Sequence, residues 1–171
     1  MKSTNKKVAA AAAAYGDAKV DNHVSVSFIG GNIGYTTPTF KANGQSTFAV
    51  AIPSGDSGVA LDAQVGHEGV HVEQDQALAK TIQPDGRADQ SLNLTSYKSE
   101  FAAYQVSAAI YQASGQPYSF DANGDYYFEP DSPQSTVDDA INRYLADPSN
   151  PYHGVTVDDP GPNIYSGPKK Q

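Results

Sequence analysis

The chain has 171 residues, a formal charge of −8, a pI near 4.7 and no cysteine. That length fits one domain able to bury its own core without staples. The acidic balance argues against a partner that needs a basic face, either nucleic acid or an anionic membrane surface. Without cysteine there are no disulfides and no thiolate metal sites, so any metal must be held by His, Asp, Glu or Tyr.

In chain order, Lys2, Lys6 and Lys7 precede Val8 and an alanine run, Ala9 to Ala14. This imitates a signal peptide, but alanine is weakly apolar and the run is short, so a local helix or loose tail is expected over about residues 1–20. No run of about 18 apolar residues is present, so no membrane span is expected. Val24, Val26 and Phe28 alternate as in a half-buried strand. Residues 36–40 and 46–52 flank Asn43-Gly44, the strongest short hairpin signal. An antiparallel sheet is therefore expected ahead of a helix over residues 59–79, whose Leu61, Val65 and Val72 share one face. Gly66 and Gly69 weaken that helix but leave room for a substrate or a neighbouring helix.

A loop over 83–89 leads to a second helix over 95–113, capped by Asn93 or Thr95 and stopped by Gly115 and Pro117. A hairpin is predicted over 118–129, around Asp121-Ala122-Asn123-Gly124-Asp125. Those acids have the first spacings of a calcium loop, but Tyr126 and Ser132 stand where it needs glycine and glutamate. A third helix is predicted over 132–145, with Ser135 and Asp138 as a capping box. Residues 147–171, rich in Pro, Gly, Asp and Asn, read as a loose C-terminal segment. The fold class expected is α+β: one domain over 1–171, with a small antiparallel sheet packed against a pair of helices.

The first long helix carries His67-Glu68-Gly69-Val70-His71. Residues four apart share a helix face, so His67 and His71 can aim two imidazoles at one Zn²⁺. Glu68 lies about 100° round the wheel, placed to take a proton from water at the metal. The third ligand should come from a separate element, and Glu100 is the best candidate: an acid within an otherwise apolar and aromatic helix stretch, with Tyr97 and Tyr104 on its face. Asp85, Asp89 and Asp125 are the other acidic candidates, and His23 and His153 the alternatives for a three-histidine site. Asp75, four residues after His71, could orient a ligand or simply be solvated. Tyr104, Tyr111 and His153 are candidate donors to an oxyanion, against the plainer reading of the tyrosines as core.

With His67, Glu68, His71 and Glu100 in these positions, the chain resembles the gluzincin branch of zincin metallopeptidases over roughly residues 23–113. The resemblance implies a Zn²⁺ cofactor, a protein or peptide substrate, and hydrolysis with Glu68 as general base. The sequence departs from the thermolysin-like subgroup, which has an acid where this chain has Tyr104. It departs from the metzincins too, with Ala77 in place of a third histidine. In size and style it is similar to the peptidase domains at the ends of bacterial polymorphic or Rhs-type toxins. That likeness implies a secreted or delivered effector (otherwise a cytoplasmic enzyme) with an inhibitory or immunity protein among its partners. Rival readings are a non-catalytic interaction module with a structural or inactive zincin-like site, and a zinc hydrolase acting on a non-peptide bond. A substrate strand is expected to pair along Phe48 to Ile52.

Overall fold

A computed structural model describes residues 6–17, 20, 22–42, 44–150 and 164–168. The order of elements is α1 (Lys6–Ala14), β1 (Val24–Ile29), β2 (Tyr35–Thr39), β3 (Thr47–Pro53), α2 (Gly58–Ala79), a 3₁₀ turn (Gln90–Leu92), α3 (Ser96–Ser114), β4 (Tyr118–Ser119), β5 (Tyr127–Phe128) and α4 (Gln134–Ala146). The fold is α+β: four helices, a mixed three-stranded sheet and a two-stranded ribbon, among the described residues. None of these helices is long and apolar enough to cross a membrane.

β2 and β3 form the hairpin foretold by Asn43-Gly44, with Thr39 opposite Thr47. Gly44 takes the positive φ of 72° that such a turn requires; Asn43 lies outside the described residues. The sheet is not wholly antiparallel, however. β1 crosses to the far side of β3 and runs parallel to it, Val26 beside Val50. The strand order is thus β1-β3-β2. β3 supplies the buried face through Phe48, Val50 and Ile52, whereas Phe28 of β1 is 66% exposed.

α2 is the axis of the molecule. Val72 of α2 packs with Val50, Ile52 and Ala14, closing sheet, α2 and α1 on one another. α1, read from sequence as a short helix or a loose tail, is docked: Ala11 is fully buried with Val70, Ala103 and Val106. Alanine has little apolar area to bury, but its small side chain lets backbones come close. A Cβ added at Gly69 would stand 2.4 Å from the Ala11 carbonyl oxygen. Tyr15 Oη donates to Val65 O at 2.8 Å and Gln76 Nε2 to Ala14 O at 3.0 Å.

α3 lies antiparallel along α2. Thr95 caps it by accepting from Lys98 N, and Gly115 ends it in the left-handed conformation at φ 71°. Gly66 permits the approach, since a Cβ there would meet Ile110 Cδ1 at 2.5 Å. β4 and β5 pair Tyr118 with Phe128, and α4 seals them with Val137, Ile141 and Leu145. α4 begins at Gln134, behind Pro133, without a side-chain cap. Ser135 therefore lies inside the helix, and Asp138 accepts instead from Gln105 and Gln134. Asn93 caps nothing in α3 either: its side chain holds Ile164 and Tyr165 by their backbone. The last part of the chain is thereby tied to the body through residues 164–168.

Candidate metal centre

The antiparallel packing of α2 on α3 brings one face of the H-E-x-x-H helix against the start of α3. His67 Nε2 lies 3.2 Å from Glu100 Oε2, and His71 Nε2 lies 3.4 Å from Glu100 Oε1. Bonds of about 2.0–2.2 Å in a tetrahedron imply ligand atoms about 3.3–3.5 Å apart, close to both separations. Among the described residues these three are the only group whose ligand atoms converge, all within 4.8 Å of one another.

The tautomer of His71 sharpens the point. Ser99 Oγ donates its one proton to Gln74 Oε1 at 2.6 Å. Its contact with His71 Nδ1 at 2.9 Å must then be accepted from the ring N–H. His71 Nε2 is left carrying a lone pair, directed at a carboxylate oxygen. Two acceptors facing each other repel, and a shared cation removes the repulsion. Burial, against the opposing charge of Glu100, lowers the His71 pKa to about 4, so the ring is neutral at ordinary pH. His67 behaves otherwise: burial pulls its pKa down, but the hydrogen bond and charge of Glu100 outweigh that and raise it. The donor set, two imidazole nitrogens and a carboxylate on rigid helices, fits a zinc ion.

Glu68 is 2% exposed. Its Oε2 accepts from Thr36 Oγ1 and its Oε1 from Gln64 Nε2, each at 2.8 Å. Burial raises its pKa above the usual carboxylate value; the charge of His67 and the two donors oppose the rise. Each oxygen keeps a lone pair beyond these bonds. Tyr104, four residues after Glu100, lays its ring against His67 with centroids 4.8 Å apart and points its hydroxyl at Tyr144 Oη, 3.4 Å away. Burial raises its pKa. Tyr111 stacks on Tyr118 at 4.2 Å. His153 lies outside the described residues.

Two clefts meet at this centre, with His67 and Glu68 in the wall of both. One, of about 380 Å³, is lined by aromatic side chains, among them Tyr104, Tyr118, Phe120 and Tyr144. The other, of about 240 Å³, is lined by Tyr35, Thr36, Pro38, Asp75, Ser99 and Glu100, among others.

Several sequence expectations move. Asp75 does not hold His71, because Ser99 occupies that nitrogen. Asp85 pairs with Arg87 and Asp89 caps the 3₁₀ turn. Asp121 accepts from the Asp125 backbone, and Asp125 is not in the converging group. His23, immediately before β1, has a positive φ of 62° and is not in the converging group. β3 cannot take a substrate strand, since β1 and β2 occupy both its edges. The outer edge beside the centre is β2, which reaches Glu68 through Thr36. Sequence reasoning missed Ser99, Gln74, Thr36 and Gln64. Only Gln64, one turn before Glu68 on the same face, carried a signal. Comparison with protein-family models, with curated proteins and with solved structures gave no match.

Proposed function

We propose that the chain is a zinc-dependent endopeptidase of gluzincin type, with His67, His71 and Glu100 as protein ligands and Glu68 as general base. The observation that carries this is the convergence of His67 Nε2 and His71 Nε2 on the Glu100 carboxylate, at 3.2 and 3.4 Å, beside a buried, doubly hydrogen-bonded Glu68. Zn²⁺ bound there supplies Lewis acidity, polarising a carbonyl and bringing the pKa of water down to about 7.

The chain's own residues supply the rest. Glu68 accepts a proton from water as the water oxygen bonds to the scissile carbon. It returns that proton to the amine nitrogen as the C–N bond breaks. Burial brings its pKa nearer to neutrality, which suits a group that must both take and give the proton. Thr36 and Gln64 keep its carboxylate from rotating away. Ser99 keeps His71 in the tautomer that ligates. The outer edge of β2, unpaired among the described residues, can pair with an extended substrate through main-chain hydrogen bonds. Export as an effector with an immunity partner is part of the proposal only through the likeness in size and style.

The test joins metal analysis to digestion of a peptide library. Purified protein should hold one zinc, lost in His67→Ala and Glu100→Ala. Glu68→Gln should keep the zinc while cleavage falls at least about 10²-fold. Protein that holds no zinc, or full cleavage by Glu68→Gln, would sink the reading. Zinc without any cleavage would favour the interaction module.

A further inference from the structure

The cleft beside His71 contains a side chain that neither the metal cluster nor the hydrolytic step uses. Asp75 stands one helical turn, about 6 Å along the axis, beyond His71 on the same face of α2. It is 4% exposed and lies in the wall of the cleft that also holds His71 and Glu100. Among the described residues no hydrogen bond or ion pair reaches its carboxyl group. Burial alone raises its pKa, to about 7. It is not in the converging metal group, and Ser99 rather than Asp75 orients His71.

A buried carboxylate normally has donors or a counter-charge, because its desolvation is otherwise uncompensated. Here α2 places an acid in the wall of a cleft that runs to the centre of the site, with no compensating partner among the described residues. We propose that Asp75 is a specificity residue that receives a cationic group of a peptide substrate, an ammonium or guanidinium, in the cleft next to His71. The inference rests on reading the cleft as a peptide site. The one-turn offset matches about two residues of extended chain, from a rise of about 3.3 Å per residue. Asp75 would therefore read the substrate one or two residues from the bond cut. A carboxyl with a pKa near neutrality is partly protonated in the free protein and ionises as the cation arrives. The surplus negative charge of the chain draws such peptides in. The cation can be a chain-terminal amine or a Lys or Arg side chain.

Three hexapeptides of otherwise equal sequence separate these cases when titrated into the full chain supplied with zinc. The first has a free N-terminus and no basic residue. The second is N-acetylated and carries one lysine. The third is N-acetylated and has none. One of the first two should bind at least about ten-fold more tightly than the third, as for a hydrogen bond to a charged group. Which one does so names the source of the cation. That advantage should vanish in Asp75→Asn. Acetylating the favoured amine should abolish it on wild-type protein, a control that needs no variant to fold. Equal binding of all three peptides, or an advantage kept in Asp75→Asn, overturns the proposal. Tight, amine-dependent binding without cleavage would sink the peptidase reading and leave this one standing. Equal cleavage and binding of charged and neutral peptides would do the reverse.

Discussion

The two clefts that meet at His67 and Glu68 are built on opposite terms. The aromatic one is part of the core. Phe120 lines it and also packs with Phe128, Val137 and Ile141, and Tyr104 reaches from it to the face of His67. The acidic one costs stability. Asp75 is buried in its wall with no compensating partner among the described residues, and Glu100 and His71 face each other across 3.4 Å. A wall that doubles as core can be rigid without expense. A wall that binds charge, as proposed for this one, has to be assembled before its ligand arrives, and the rest of the fold offsets the cost.

That contrast can be broken from either side. Phe120→Ala should be the most damaging change, lowering unfolding free energy by about 3–5 kcal/mol in a denaturant titration. A loss under about 1 kcal/mol would mean that the aromatic cleft is not core. Asp75→Asn should do the opposite. The folded carboxyl holds its proton to about pH 7, whereas the unfolded one releases it near 3.8. Wild-type stability is therefore withheld progressively as pH rises from about 4 to 7 and stays reduced above. In chelated protein at pH 8 the asparagine variant should be more stable by of order 1–3 kcal/mol, and equal to wild type at pH 4. The other titratable groups of that cleft, Tyr35, His67, Glu68, His71 and Glu100, are common to both proteins. An asparagine variant less stable at both pH values would show Asp75 to be structural.

Ser99→Ala frees His71 to change tautomer, and should weaken zinc binding by about 10–100-fold in competition with a chromophoric chelator. Tyr104→Phe should be the mildest. Among the described residues its hydroxyl makes only a 3.4 Å contact to Tyr144, so stability should move by less than about 1 kcal/mol. A fall in turnover of 10²-fold or more without that loss would identify the hydroxyl as the oxyanion donor.

Much of this could be read from the residues themselves. The i, i+4 histidines and the acid between them carry their geometry in their spacing. Glu100 stood out because a carboxylate among aromatic neighbours needs a reason to be there. The hairpin was written in its Asn-Gly turn. What the sequence hid depends on distant partners. Nothing in Val24 to Ile29 says that it joins the far edge of β3 in parallel, since no tight turn sets that register. Ser99 resembles every other helical serine until α2 lies beside it. That no partner reaches the Asp75 carboxyl among the described residues is a property of the three-dimensional arrangement, and no local pattern encodes it. The alanine run read as a local helix or a loose tail, and its docking was hidden because its value lies in smallness, which matters only opposite Gly69.

The contact between Ala11 and Gly69 also narrows what the pentapeptide can become. The general motif leaves its third and fourth positions open. Here Gly69 abuts a backbone carbonyl and Val70 is buried with Ala103 and Val106. Every one of the five residues is therefore under constraint: Gly69 and Val70 by the neighbours of the helix, His67, Glu68 and His71 by their contacts with Glu100, Thr36, Gln64 and Ser99. Mutational drift at this stretch should be almost frozen, and a chain that replaced Gly69 would need a compensating change in α1 before it could keep its histidines in place.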